Sequence, residues 1–279
     1  MITQENTHLA NTTLQVGQLK HSLTALSTAV RTTALPEVRA VIDSVVPDLD
    51  SVKDYQTDVI AWLKPVVDLT GYHVYPMSGV TQGLDWWYNR TTDGVQMLPG
   101  DYQWVEPRLG DNTWQYASVP SAIDGNFRDV SQLDQLALDL AYVGSTKIQH
   151  IKHDADVAFF SLSKSFGLRN IRTGWYFSRK PDRKLQDLIY GAKYYNYFAA
   201  EIAERVIQQF DIDYIHNKLA PQQTEICQIL DFTPSDSVWL ATTTSDEFQR
   251  WRRQGTMARI CLTGLYDYEK TQSPHIPQL

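Results

Sequence analysis

The sequence has 279 residues, of which 43% are hydrophobic and 11% aromatic, and its formal net charge at pH 7 is −7. A chain of this length can form one large domain or two modest ones, and the composition excludes a disordered chain. The acidic balance without a basic block gives no support for nucleic-acid binding, and two cysteines, Cys227 and Cys261, are too few for a metal or disulfide framework.

The amino-terminal residues have neither the positive start nor the apolar core of a signal peptide. No apolar run approaches the length of a membrane span. We therefore expect a cytoplasmic protein with reduced thiols and no membrane association.

Three helices are predicted in an amino-terminal segment, residues 1–70. Apolar residues recur every three or four positions from Val16 to Val30, which marks one face of a first helix. Pro36 can begin a second helix, since proline is favoured at the first helical position. A third helix is predicted from about Asp54 to Leu63, and Pro65 interrupts it.

Short apolar runs alternate with helix-like or loop-like connections across residues 71–182. These runs predict strands at 72–77, 95–98, 114–119, 136–141, 156–160 and 174–177. The alternation predicts an α/β fold in which a mostly parallel sheet is flanked by helices. Because ligands bind at the carboxyl ends of the strands in such sheets, the residues after each strand are the candidate site residues.

A turn of small residues follows the first predicted strand and begins a helix. The turn consists of Gly79, Val80, Thr81 and Gln82. Unpaired backbone N–H groups at a helix start, with the helix dipole behind them, form a cup for an anion. Similar turns also begin helices that bind no ligand.

Aromatic and acidic residues follow the next strands. Tyr102, with Trp104 as second choice, could cover the face of a planar cofactor, or either side chain could belong to the core. Asp139 interrupts an apolar run and needs a positive partner if it is buried. Arg128 could supply a purely structural ion pair, whereas Tyr142 is near enough in sequence to share a ligand with Asp139.

A lysine lies on the connection between the last two predicted strands, in the segment SLSKSFGLRNIRTGW. Lys164 stands between serines there, and Arg172 returns beside it at the start of the next strand. A desolvated lysine loses its proton more readily and becomes the nucleophilic amine that a Schiff base requires. The alternative is an ordinary solvated lysine in a loop rich in serine and glycine.

Residues 183–279 predict two linking helices and a reduced α+β domain. The helices are expected at 183–209 and 213–230, followed by a strand at 237–244, a helix at 246–254 and a strand at 257–264. Arg259 lies in the last strand. Its guanidinium suits a substrate carboxylate if it points to the ligand face of the sheet, and is an exposed strand charge if it points outward.

Taken together, these motifs resemble the fold-type I pyridoxal-phosphate (PLP) enzymes, the aspartate aminotransferase superfamily, over about residues 70–265. The resemblance assigns the Schiff-base linkage to Lys164, the pairing with the pyridine nitrogen to Asp139 and the contact with the phenolic oxygen to Tyr142. It assigns the substrate carboxylate to Arg259. It also implies a set of residues around the phosphate and the ring face: Gly79, Val80, Thr81, Gln82, Ser161, Ser163, Arg172 and, stacked on the ring, Tyr102.

The cup sequence and the motif at 120–128 are most similar to the branch of alliinases and plant tryptophan aminotransferases. In that motif the family usually has asparagines, one of which binds the phenolic oxygen. Ser121 and Ala122 stand in their places here, and Asn126 is out of register. The chain is also shorter than the family pattern, which bears on substrate closure and on contacts with a partner subunit.

The resemblance implies an aminotransferase that exchanges an amino group between an α-amino acid, aromatic or bulky, and a 2-oxo acid. A carbon–sulfur lyase of the alliinase type is the second expectation. The third is a protein that binds PLP without turnover, in a structural or regulatory role. Members of this fold are usually homodimers, and we expect the same here.

Overall fold

The computed structural model describes residues 35–45, 55–102 and 104–267. The helix predicted between Val16 and Val30 lies outside these ranges. Helix α1 (Pro36–Ser44) begins at the predicted proline, and Val38 and Val41 are its buried residues. Helix α2 (Tyr55–Leu63) follows, and both helices pack against the later helix Tyr197–Gln209.

All six predicted strands of the larger sheet are present. They are β1 (His73–Met77), β2 (Gly94–Met97), β3 (Thr113–Ser118), β4 (Leu136–Asp139), β5 (Ala155–Phe160) and β6 (Gly174–Ser178). The spatial order is β1-β6-β5-β4-β3-β2, with parallel pairing from β2 to β5 and antiparallel pairing of β6 with both of its neighbours. Five of the six strands therefore run in one direction, which confirms the mostly parallel sheet.

The two faces of this sheet are covered by different hydrophobic clusters. Phe160 belongs to the cluster that includes α1 and α2, whereas Phe159 packs with Leu84 and Trp87 of helix α3 (Val80–Arg90). Consecutive residues of a strand point to opposite faces, so both must be apolar in a strand that is covered on both sides. This double coverage explains why the strands read as continuous apolar runs.

The single helix predicted at 183–209 is wrong. After the single helical turn α4 (Leu162–Ser165) and strand β6, a short helix, α5 (Arg183–Leu185), leads into a π-helix, Gln186–Gly191. Lys193 then turns the chain with a left-handed φ of 55°. A new helix, α6 (Tyr197–Gln209), begins after Asn196, whose Oδ1 accepts the N–H of Ala199 at 3.0 Å. This cap satisfies an N–H that a continuous helix would have paired internally.

The carboxyl-terminal part contains helix α7 (Tyr214–Leu230), as predicted, and a smaller antiparallel sheet. Its strands are β7 (Thr233–Pro234), β8 (Leu240–Thr243), β9 (Arg252–Gln254) and β10 (Met257–Cys261), in the order β7-β8-β10-β9. The helix predicted at 246–254 is wrong, since a 3₁₀-helix ends at Trp251 and the chain continues as β9. Gly255, with a φ of 56°, joins β9 to β10 as a hairpin.

Two close approaches in the larger sheet define where a ligand could lie. Ser118 at the end of β3 is paired in register with Asp139 at the end of β4. At the other approach, a Cβ added at Gly174 would lie only 2.7 Å from the Cα of Gly79, so the start of β6 touches the turn before α3 backbone to backbone. Within the described ranges, no helix is long and apolar enough to cross a membrane.

Candidate active site

Lys164 lies on the single helical turn α4, directly after β5, and is half-buried. Its Nζ is 4.2 Å from the ring centroid of Tyr142 and 5.5 Å from that of Tyr102. Ser161 and Ser163 beside it are buried. The lysine is therefore enclosed by two tyrosine rings and does not match the alternative of a solvated loop lysine.

Asp139 is 3% exposed and accepts two hydrogen bonds. The backbone N–H of Ala141 donates to its Oδ1 at 2.8 Å, and the hydroxyl of Tyr116 donates to its Oδ2 at 2.7 Å. Burial raises the pKa of Asp139, while the positive charge of Lys164 opposes that rise. Asp139 is thus a buried carboxylate that interacts electrostatically with the candidate lysine.

The alternative that Arg128 forms a structural ion pair with Asp139 is wrong. The guanidinium of Arg128 binds the buried carboxylate of Asp101 instead, and Ser118 donates to that same carboxylate. Asp101 immediately precedes Tyr102. This ion pair therefore holds the segment that carries the predicted ring-stacking residue, and Asp139 is bound by Tyr116 and Ala141 instead.

Tyr116 was not identified from the sequence as a site residue. It lies in the middle of β3, where an aromatic residue is ordinary core, and it is 2% exposed. Burial raises its pKa well above 10, so the hydroxyl stays protonated and acts as the donor to Asp139. The alternation of side chains along β3 could have identified it. Tyr116 and Ser118 are two residues apart and therefore share one face of the strand, and Ser118 is paired with Asp139.

Replacing Tyr116 with phenylalanine is expected to raise the pKa of Asp139 further, because the hydrogen bond that favours the ionised form is lost. During acidification the Asp139 carboxylate of the variant would therefore become protonated at a higher pH than that of the unmodified protein. The acidic limb of any pH–activity profile should move to higher pH, and the rate should fall roughly 10-fold or more at its acidic end. Tyr214→Phe, which removes a tyrosine–carboxylate hydrogen bond to Glu37, serves as the matched control and should leave the profile in place.

Arg172 lies directly against the predicted anion cup. Its backbone has a left-handed φ of 64°, and a Cβ added at Gly79 would lie 2.9 Å from the Arg172 Nη2. Gly79 itself has a φ of 84° and precedes α3, whose first N–H groups lack helical partners. A guanidinium and a helix start thus meet at one point, an arrangement that suits a phosphate.

The other cup residues differ in what they offer a ligand. The side chain of Gln82 is engaged, since its Oε1 accepts the N–H of Ser78 at 2.6 Å. Val80 is buried in the core and presents its backbone alone. Thr81 Oγ1 lies 3.4 Å from the Tyr102 hydroxyl, so the cup and the predicted stacking aromatic are in contact.

Replacing Gly79 with alanine is expected to displace Arg172 and to weaken binding of a phosphate-bearing cofactor at least 10-fold. The added methyl meets the guanidinium, and the Gly79 backbone, with φ 84° and ψ 172°, lies in a region that costs about 1–3 kcal/mol for a residue with a Cβ. Gly71→Ala is a matched control, because Gly71 has the same φ of 84° and no atom within 4 Å of the added Cβ. Cofactor titration combined with thermal unfolding separates the two effects: both variants should lose stability, and Gly79→Ala alone should lose affinity.

Arg259 is 9% exposed, and its Nη1 donates to the carbonyl oxygen of Ala122. The outward orientation considered for this arginine is therefore wrong. The loop at 120–128 holds the guanidinium. Asn126 does not substitute at the lysine site, because its Oδ1 accepts the N–H of Asp236 at 2.9 Å.

The structure therefore brings the predicted residues into one chain of contacts. The contacts run from Arg172 and Gly79 through Thr81 and Tyr102 to Lys164 and Tyr142. Asp139, held by Tyr116, is coupled to Lys164 through the charge of the lysine. Cationic and amide groups lie at one end of the site and a buried carboxylate at the other, with a lysine between aromatic rings. Such a site can bind an elongated ligand that has an anionic group and a protonated ring nitrogen.

No protein-family model matches the sequence, and no curated protein sequence matches it. Solved structures do match. A PLP-bound C–S lyase from Staphylococcus hominis has a TM-score of 0.62 at 10% identity, covering 88% of each chain. An aminotransferase from Mycobacterium tuberculosis has a TM-score of 0.61 at 13% identity, covering 91% of this chain and 96% of that chain.

A histidinol-phosphate aminotransferase from Sinorhizobium meliloti, solved in complex with pyridoxal-5′-phosphate, has a TM-score of 0.58 at 15% identity, and 84% of each chain is covered. At these sequence identities the similarity shows the fold, and the reaction depends on the residues of the site. The chain has the fold of the PLP-dependent aminotransferases and C–S lyases, the fold-type I architecture that its motifs predicted.

Proposed function

We propose that the protein is a PLP-dependent aminotransferase that moves an amino group between an α-amino acid and a 2-oxo acid. The observation that carries this proposal is the half-buried Lys164, whose Nζ lies over the rings of Tyr142 and Tyr102 and whose charge lowers the pKa of buried Asp139 against the effect of burial. A lysine that bound no ligand would have little reason to occupy that position.

The residues fit the cofactor. Arg172, the amides at the start of α3 and the serines beside Lys164 would hold its phosphate. Asp139 would pair with the pyridine nitrogen, Tyr142 would donate to the phenolic oxygen and Tyr102 would cover one ring face. When bound, PLP supplies an electron sink for the charge that develops at the substrate Cα.

The side chains of this protein then have distinct tasks. Lys164 Nζ would hold the cofactor and, once released from it, take the proton from the substrate Cα. Arg259, oriented by the Ala122 carbonyl, would bind the α-carboxylate. The tyrosines around Lys164 would exclude water and border the substrate, which supports an aromatic or bulky amino acid as one substrate.

A C–S lyase is the second candidate function. The cup residues 79–82 and the motif at 120–128 favour it through their similarity to alliinases, and one of the structural neighbours is a C–S lyase. Ser121 and Ala122, in place of the usual asparagines, favour the third candidate, a protein that binds PLP without turnover.

One set of assays on the purified, PLP-loaded protein separates these candidates. Amino transfer that depends on an added 2-oxo acid supports the proposal. Release of ammonia and a 2-oxo acid together with a thiol product supports the lyase, and an absorbing but inert cofactor supports the binding protein. A preparation that takes up no PLP would contradict all three.

We also propose that the protein is a cytoplasmic homodimer. A cavity of about 390 Å³ lies next to Ser78 and Thr173, close to the cup, and Leu188 and Tyr194 line it. Tyr194 is 74% exposed, and Leu188 and Phe198 nearby are each more than a third exposed. A second copy would cover this apolar surface. Light scattering during gel filtration should give twice the chain mass of 31.9 kDa.

A further inference from the structure

The carboxylate of Asp101 holds together three segments at the carboxyl end of the larger sheet. Its Oδ1 accepts the backbone N–H of Tyr102 at 2.8 Å and the hydroxyl of Ser118, and its Oδ2 accepts from the guanidinium of Arg128. These donors belong to the turn after β2, the end of β3 and the loop at 120–128. Asp101 is 1% exposed, so its charge is compensated by these contacts rather than by solvent.

Ser118 connects Asp101 to the loop at 120–128. Its Oγ donates to Asp101 and accepts the backbone N–H of Ala122 at 2.7 Å. The carbonyl oxygen of Ala122 in turn accepts from Nη1 of Arg259, and all four residues are buried. Because the alanine has no polar side chain, its backbone is all that it offers to the arginine. The orientation of Arg259 therefore depends on how firmly this backbone is held.

Tyr102 lies at the other end of the same set of contacts. It follows Asp101 directly, and its ring centroid is 5.5 Å from Lys164 Nζ. The bond from its N–H to the Asp101 carboxylate fixes the backbone from which the ring projects. Asp101 is therefore bonded directly to the residue proposed to cover the ring face, and through Ser118 and Ala122 to the arginine proposed for the α-carboxylate.

The ion pair between Asp101 and Arg128 is not arranged for maximal stability. Within the described part of the chain, Nε and Nη1 of Arg128 are buried and form no hydrogen bond, so that Nη2 alone is engaged. Buried ion pairs gain little over apolar residues of the same volume, and unpaired buried donors reduce that gain further. What the pair provides is a charged acceptor in a fixed place, whose hydrogen bonds to Tyr102 and Ser118 are stronger than those of a neutral group.

We infer that Asp101 is a positioning residue, which fixes the distance between the aromatic ring over the cofactor and the arginine for the substrate carboxylate. It contacts neither ligand, because its oxygens are engaged by Tyr102, Ser118 and Arg128. The inference rests on the proposed function for the roles of Tyr102 and Arg259. The contacts themselves belong to the protein without cofactor, so they can be tested separately.

Amide hydrogen exchange of the cofactor-free protein, resolved to single residues by mass spectrometry, tests these contacts. Asp101→Ala should speed exchange about 10-fold or more at the amides of both Tyr102 and Ala122. The Tyr102 amide loses its acceptor, and the Ala122 amide loses the residue that orients its acceptor. Ser118→Ala should have this effect at Ala122 alone.

The matched control is Asp236→Ala. It removes a half-buried carboxylate that accepts the N–H of Phe127 in the same loop at 2.8 Å, and it should leave the amides of Tyr102 and Ala122 unchanged. Asp101→Asn keeps an acceptor oxygen but not the charge. Its exchange at both amides should lie between those of the unmodified protein and Asp101→Ala, and it takes the place of Asp101→Ala if that variant does not fold.

The PLP-loaded protein separates positioning from a purely structural role. Ser118→Ala should raise KM for the amino acid about 10-fold and leave the circular dichroism of the cofactor band in place, because only the contact towards Arg259 is lost. Asp101→Ala should raise KM and also reduce that dichroism, because Tyr102 is released as well.

Unchanged exchange at both amides in Asp101→Ala would overturn the inference. Faster exchange spread evenly over the larger sheet would do the same, since it indicates a general loss of stability. Equal changes in KM and dichroism for Ser118→Ala and Asp101→Ala would also contradict it. Local exchange changes in a protein that takes up no PLP would support Asp101 as the link between the two segments while contradicting the proposed enzyme.

Discussion

Replacing Lys164 with alanine is expected to remove covalent cofactor attachment and to lower the rate of amino transfer roughly 10⁴-fold or more. The lysine is both the anchor and the proposed base, and general acid–base catalysis alone contributes about 10²–10⁴-fold. Borohydride reduction followed by peptide mass spectrometry measures the attachment directly. In the unmodified sequence the label should appear on Lys164, and in the variant no lysine should carry it.

Lys147→Ala provides the control for this experiment, because Lys147 is exposed and close in sequence to the same sheet. It should retain both the label and the rate. If the Lys164 variant is still labelled at another lysine and retains activity, the assignment of the anchor is wrong. The position between Tyr102 and Tyr142 would then need a different explanation.

Replacing Asp139 with asparagine is expected to lower the rate about 10²- to 10⁴-fold while the fold is retained. Asparagine has nearly the same shape, and its oxygen can accept from Ala141 while its NH2 group donates to the Tyr116 oxygen, but it lacks the charge that keeps a ring nitrogen protonated. The cofactor absorption spectrum should also lose the pH response that a charged partner imposes. Rapid-mixing kinetics of the first half-reaction would place the loss at proton removal.

The control for Asp139 is Asp134→Asn, an exposed carboxylate before the same strand. It should change neither the rate nor the spectrum. An Asp139→Asn protein with an unaltered rate would mean that this carboxylate is structural. An unfolded protein would leave the chemistry to be tested by Asp139→Glu, which keeps the charge and should retain more activity than the asparagine variant if the charge is what matters.

The sequence predicts the central sheet well because its strands are covered on both faces, so each strand is an uninterrupted apolar run. The same property makes Asp139 conspicuous, since a carboxylate in such a run must have a partner. Lys164 is found for a similar reason, as a charge on a short connection between buried strands. In these places the local pattern and the tertiary environment agree.

The residues that sequence reasoning missed depend on contacts between distant segments. Tyr116 looks like any core aromatic until the register of β3 and β4 places its hydroxyl on Asp139. The break near Lys193 accompanies a π-helix in which the Tyr190 hydroxyl reaches the Val74 carbonyl. The segment 252–254 has helical spacing but is drawn into a hairpin with β10.

The contact between Gly79 and Gly174 has a consequence for how this protein can vary. The two positions are far apart in the chain, yet a methyl group at Gly174 would meet the backbone of Gly79 and separate the cup from the strand that begins beside Arg172. A methyl group at Gly79 would meet the Arg172 guanidinium instead. A change at one cannot be offset by shrinking the other, because glycine is already the smallest residue. Relatives that bind the same cofactor should therefore have glycine at both positions even where their surrounding sequences have diverged completely.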